Sequence, residues 1–166
     1  MGGTFFIKNN QYFSVTMIAA LKPYYKMLDD IDRDVEGQTH KIISRNQQEI
    51  IDLNTKEQLF KGESSSGQKL SPKYAGVRYA RAKNKVNPLP GYGTPDLKFT
   101  GKFYNDFFLS TKGRQLEFDS KTKYAKHLES KYGSEIYGLN KDNSDWLNDK
   151  LLFPELLGWV LTRIKI

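Results

Sequence analysis

The sequence predicts an α+β fold: long N-terminal helices packed on a small antiparallel sheet, a short helix near residues 124–132 and a C-terminal helix. Three observations carry this. Apolar residues recur at three- and four-residue spacing over much of the first 60 positions. Residues 107–119 alternate on either side of a Lys-Gly turn, as a β-hairpin does. Helical spacing then returns after Tyr124 and again toward the C-terminus. The 166 residues suffice for one domain, 1–166, with a single core.

Residues 4–13 read as a short strand with an Asn-Asn turn at Asn9-Asn10. Ser14 is an N-cap candidate for a helix carrying Ile18, Leu21, Tyr25 and Leu28, with a kink or break expected at Pro23. A longer helix is expected over about 32–60, because Val35, Ile42, Ile43, Ile50, Leu53 and Phe60 can share one side. Residues 61–67, Lys-Gly-Glu-Ser-Ser-Ser-Gly, are a loop by composition.

The next segment is the most polarised in the chain. It carries Lys69, Lys73, Arg78, Arg81, Lys83 and Lys85, with Tyr74 and Tyr79 between them and no acidic residue between Glu63 and Asp96. Pro88, Pro90, Gly91, Gly93 and Pro95 rule out a regular helix or central strand over their stretch. The expectation is a long exposed excursion over about 62–97, with a helical turn around Lys73 to Arg81. A loop of that length in a compact domain is usually a binding or mobile element.

From Lys98 a short helix runs into a strand, Phe107 to Ser110. Lys112-Gly113 turns the chain, and Gln115 to Asp119 alternates as a half-buried strand. Tyr124 to Tyr132 forms a short helix closed by Gly133. Asn143-Ser144-Asp145 reads as a capping run for the last helix, which contains Leu147, Leu151, Leu157, Leu161 and Ile164 and which Pro154 should restart.

Composition narrows the function classes. Charge is +7 and pI about 9.4, which suits an anionic partner such as nucleic acid, an acidic protein or a membrane surface. Cysteine is absent, so disulfides and thiolate metal sites are excluded. The first residues lack the pattern of a signal peptide, and no stretch has the length of a transmembrane helix; the protein is expected to be made in the cytoplasm and to contact no membrane. Ten Tyr and ten Phe exceed the needs of a small core, and Tyr is favoured at assembling interfaces.

Catalytic patterns fail on inspection. Thr100-Gly101-Lys102 is not a phosphate loop, since Asp96 stands at the first Gly and Phe103 at the magnesium-binding hydroxyl. His40 and His127 lie far apart, and His127 and Glu129 do not share a helix face. No nucleophile elbow is present. The expectation is therefore no catalytic residue, no metal and no cofactor. Lys69, Lys73, Tyr74, Arg78, Tyr79, Arg81, Lys83 and Lys85 combine phosphate-contacting and stacking groups, so they are the candidates for facing a partner protein or DNA.

Several ordered pieces resemble tailed-phage tail-completion and virion-morphogenesis proteins, the minor tail and head–tail neck family. Gln58-Leu59-Phe60, the Gly62–Gly67 loop and Gln68 to Tyr74 are similar to a family passage in which a helix ends, a Gly loop follows and Leu-Ser opens a basic stretch. Pro95 to Phe107 resembles its Thr-Gly signature, here with Thr100, Gly101, Phe103 and Phe107. Tyr124, Ala125 and Glu129, followed by Gly133, resemble its Tyr-Ala…Glu helix, and Gly138-Leu139 its approach to a closing helix. The resemblance spans about 55–164. It implies an α+β subunit of a sixfold or twelvefold homo-oligomeric ring between portal and tail, in the virion, with portal or adaptor and tail proteins as neighbours. Contact with packaged DNA is a further expectation. A small basic nucleic-acid-binding module is the alternative, with a hydrolase of unrecognised site behind it.

Overall fold

The computed structural model describes the backbone of residues 5–113 and 115–164, and side chains from Leu21 onward within that range. Its fold is α+β. Helix α1 (Phe5–Arg45) is followed by α2 (Gln47–Thr55), α3 (Val77–Val86) and α4 (Lys102–Asn105). Strands β1 (Phe107–Lys112) and β2 (Gln115–Ser120) form an antiparallel hairpin, and α5 (Ala125–Tyr132), α6 (Lys141–Trp146) and α7 (Phe153–Ile164) complete the chain.

The N-terminal expectation is corrected. Residues 5–13 are helical and continue unbroken through Pro23 to Arg45; Thr4 lies outside the described residues. Aromatic strand propensity over a few residues loses to propagation of an adjoining helix, which adds one hydrogen bond per residue fixed. Pro23 is solvent-exposed, so water can satisfy the carbonyl that its missing N–H leaves free. The helix expected over 32–60 is also interrupted. At Asn46 the side-chain amide donates to the Ile42 carbonyl at 2.9 Å, and the backbone leaves helical geometry at φ −106° and ψ 18°. Asn offers the backbone a competing local partner, and the helix restarts one residue later.

The core gathers Ile42 and Ile43 of α1, Ile50, Ile51 and Leu53 of α2, and Leu59, Leu70, Phe103, Phe107, Leu109, Ala125, Ile136, Leu147 and Leu151. Register pairs Phe107 with Ser120 and Lys112 with Gln115, so Phe107 and Leu109 point into this core while Ser110 points out. His40 anchors the hairpin turn to α1 through Nε2 and the Gly113 carbonyl, 2.8 Å apart. A buried amide pair then stitches the middle of the chain to its last third. Asn54 donates to the Gly138 carbonyl at 2.5 Å, Gln58 donates to it at 3.1 Å, and the Asn140 N–H donates to Gln58 Oε1 at 2.7 Å.

The cap of the last helical region is Asn140, whose side chain accepts from the Asn143 N–H at 3.0 Å, not the run at Asn143–Asp145. Pro154 is accommodated by a π-helical segment, Leu147–Leu152, which widens the helix just before the proline. Helix α7 runs antiparallel to α1, tied by Arg45 to Glu155 at one end and by Arg163 to Asp34 at 3.0 Å at the other. At about 1.5 Å per residue the 41 residues of α1 extend roughly 60 Å, whereas α7 covers only roughly 18 Å of it. Toward its N-terminus α1 therefore runs on past the α7 contact.

Candidate partner-binding surface

The basic segment is not the loose excursion that its composition suggests. Gly62, at φ +71°, brings the Gly loop against the Pro-rich stretch. A Cβ there would lie 2.8 Å from Pro90 Cβ and 2.9 Å from the Pro95 carbonyl, so only glycine fits. The helical turn expected around Lys73 to Arg81 is instead the longer helix α3, Val77–Val86.

A single buried carboxylate organises the rest. Asp96 is 2% exposed. Lys83 Nζ lies 2.6 Å from Oδ1 and 2.9 Å from Oδ2, and Asn87 donates to Oδ2 at 3.0 Å. The Tyr74 hydroxyl donates to Oδ1 at 3.3 Å, the Lys98 N–H donates to it at 3.1 Å, and the Tyr104 hydroxyl donates to the Asp96 carbonyl. Burial, then the Asp96 charge, pushes the Tyr74 and Tyr104 phenols well above their usual range. These contacts hold Leu97 at φ +51°, a left-handed conformation rare for a branched aliphatic residue. Sequence reasoning missed Asp96 and Asn87 as partners. The available signal was that Asp96 is the first acid to follow so long a cationic stretch.

This hub divides the candidates. Lys83 is consumed internally, and Lys69 pairs with Glu63 at 3.0 Å and donates to the Lys61 carbonyl at 2.8 Å. Lys73 is exposed, its methylenes beside Gly93. On α3, Ala80 is buried and Lys83 lies inward with it, while Arg78, Arg81 and Lys85 fall on the opposite, solvent-exposed face at i, i+3 and i+7. Among the described residues these three make no ion pair.

Tyr74 and Tyr79 meet edge to face at 4.8 Å, and Tyr79 approaches Phe99 at 6.4 Å. Together with Tyr124, Leu128 and Tyr132 they line an open groove of about 540 Å³, with Lys98 and Lys131 on its wall. Burial, Asp96 and Tyr132 raise the Tyr79 phenol. The groove brings two of the basic-segment candidates beside two signature positions, Thr100 and Tyr124. Phe99 and Tyr132 carried no signal of their own in the sequence.

The remaining signature residues serve the fold. Thr100 Oγ1 accepts from the Lys102 N–H at 3.3 Å, opening α4. Gly101 takes φ +81°, and a Cβ there would meet only Asn105 Nδ2 at 4.0 Å, so glycine is needed for backbone direction. Phe103 is 1% exposed, with Phe107 edge to face at 5.0 Å. Ala125 is buried and Leu139 packs on the core; the Glu129 carbonyl receives the Gly133 N–H at 2.8 Å, where Gly133 ends α5 at φ +87°. Gly138 supplies the carbonyl that Asn54 and Gln58 share. Gln58 and Gly138-Leu139, near opposite ends of the motif series, thus meet at one junction.

Among the described residues no group of His, Asp or Glu is placed to hold a metal ion, and no helix is long and apolar enough to cross a membrane. Comparison of the chain with known protein families, curated proteins and solved structures gives no match.

Proposed function

We propose that the chain is a non-catalytic structural subunit of a tailed-bacteriophage particle, forming or completing a ring at the head–tail neck or tail end. The motif series over 55–164 supports the family. The observation that carries an assembly role is the part of α1 toward and beyond the end of α7. Leu21, Tyr24, Tyr25 and Leu28 there are 38%, 61%, 61% and 54% exposed, and their i, i+3, i+4, i+7 spacing puts them on one stripe. A stripe of that spacing normally packs against something, and contiguous exposed apolar surface marks an interaction site. Portal or adaptor and tail proteins are the neighbours this reading implies. The test is imaging of the purified protein, alone and with portal complex, alongside a search for it in mature particles. Rings, or rings formed only on the portal, support the reading; absence from particles refutes it.

The second reading, a small basic nucleic-acid-binding module, is favoured by the outward line of Arg78, Arg81 and Lys85. It requires DNA affinity that falls with salt, with a log–log slope of about −2 to −3 for three phosphate contacts.

A further inference from the structure

The outward cationic line of α3 has a counterpart on α1. Asp29, Asp32 and Glu36 are exposed and stand at i, i+3 and i+7, the same spacing as Arg78, Arg81 and Lys85. Among the described residues neither Asp29 nor Asp32 makes an ion pair, because the neighbouring Asp30 and Asp34 take Arg33 and Arg163 instead. The acidic line continues the apolar stripe: Leu21, Tyr25, Leu28, Asp29 and Asp32 fall within one face of the helix, opposite the side on which Met27, Asp30 and Asp34 meet α7. Next to the cationic line, Val86 is 82% exposed and Leu89 59%. One chain thus presents two exposed helical faces of opposite charge, each with an apolar extension, and the acidic one borders, at Asp32 and Glu36, the groove beside hairpin residues Thr111, Gly113, Gln115 and Leu116.

We infer that these faces bind each other between copies: the Leu21–Glu36 face of one subunit lies antiparallel on the Arg78–Leu89 face of the next. In that register Asp29 meets Lys85 and Asp32 meets Arg81, while Leu28 passes over Val86, the last residue of α3, and Tyr25 lies toward the segment with Leu89 that follows. The parallel arrangement places Leu28 over Val77, 59% exposed, and leaves both Val86 and Leu89 uncovered. The contact is heterologous, so it leaves a free acidic face at one end and a free basic face at the other, and it propagates into a closed ring or an open filament. Buried area is modest, on the order of a few hundred Å² per partner, below the ~800 Å² of a standard stable interface. A single contact is therefore weak, and closure, in which every copy makes the contact twice, supplies the stability. This inference rests on the assembly reading above and names its surface.

The experiment uses the full chain. Arg81→Asp with Lys85→Asp reverses one face, Asp29→Arg with Asp32→Arg reverses the other, and the quadruple variant exchanges both. Oligomer size is read by light scattering after gel filtration, with circular dichroism checking that each variant folds. Wild type is expected to assemble in a concentration- and salt-dependent way. Each double reversal should weaken assembly roughly 100-fold or more through like-charge contact, and the quadruple variant should restore it. Equimolar mixing of the two double variants should also restore it, through alternating copies. Reversals that leave the oligomer intact overturn the inference while the assembly reading stands. A quadruple variant that stays dissociated overturns it too, since the faces then have other partners. A wild type that remains monomeric at all concentrations overturns self-pairing, and presence in or absence from particles then decides the assembly reading separately. Loss of DNA affinity in the Arg81 and Lys85 double variant, with oligomerisation unchanged, assigns the cationic line to nucleic acid and overturns the inference.

Discussion

Replacing Asp96 with Ala tests whether one carboxylate folds the basic segment. The substitution leaves the Lys83 ammonium, 14% exposed at its side chain, without its counterion, and strips Asn87 and Tyr74 of an acceptor. Breaking a buried ion pair from one side costs about 3–5 kcal/mol, because the remaining charge stays desolvated. For a chain of this size that corresponds to a fall in Tm of roughly 6–20 °C. Urea unfolding followed by circular dichroism gives the free energy directly. The companion is Asp96→Ala with Lys83→Met, which removes the stranded charge and should recover at least about 1 kcal/mol of the loss. Hydrogen exchange should localise the damage to residues 74–98, with the β1–β2 hairpin still protected. A single variant destabilised by less than about 1 kcal/mol, or a double variant whose loss is the sum of the two singles, would refute the hub.

Gly62→Ala should be destabilised more than Gly101→Ala, although both positions have positive φ: a Cβ at the first meets Pro90 Cβ at 2.8 Å and at the second only Asn105 Nδ2 at 4.0 Å. A thermal melt showing equal losses would contradict this. Phe103→Ala removes a ring that is 1% exposed and contacts Phe107, so about 3–5 kcal/mol should be lost in the same urea titration. Stability should fall as pH rises past 10. Tyr137 is pushed up to about 12 by burial and then by Asp119 and Glu129, and Tyr74 and Tyr104 are raised as well, so between pH 10 and 12 the folded state keeps phenolic protons that the unfolded state releases. Tyr137→Phe should change little at neutral pH, because the hydroxyl has no hydrogen-bond partner among the described residues, and should soften the alkaline loss; an unchanged alkaline slope in melts across that range would count against it.

What could be read from the sequence was set by how local its physical cause is. The hairpin, the Gly133 stop of α5 and the Gly loop after Lys61 depend on a few adjacent residues and stand where the sequence puts them, except that Lys112, expected in the turn, ends β1 opposite Gln115. The Asn46 interruption is equally local, yet an Asn inside an apolar-periodic run is usually tolerated, so its competition for the Ile42 carbonyl gives no clear signal. The helical state of residues 5–13 and the passage through Pro23 depend on the length of helix that follows, which a short window cannot weigh. The π segment before Pro154 depends on Leu147 and Leu151 both reaching the core, a tertiary condition.

The candidate surface was half legible for a related reason. Charge density between Lys69 and Lys85 is a property of composition and is read directly from the sequence. Composition cannot separate a lysine that folds the segment from an arginine that faces outward. That separation needs two further facts: that residues 77–86 are helical, and that an acid folds back onto them. Given the helix, a 3.6-residue period puts Ala80 and Lys83 on one side and Arg78, Arg81 and Lys85 on the other. Given Asp96, the inward lysine is neutralised, so the field around α3 comes from the outward cations alone. The same sorting applies on α1, where Asp30 and Asp34 turn toward basic partners in the chain and Asp29 and Asp32 do not. Intramolecular pairing thus takes up Asp30 and Asp34 on α1 and Lys83 on α3, and it leaves Asp29 and Asp32 on the one helix and Arg78, Arg81 and Lys85 on the other. Two such lines of opposite sign on a single chain constrain how copies can meet far more tightly than the net charge of +7, which by itself opposes their association.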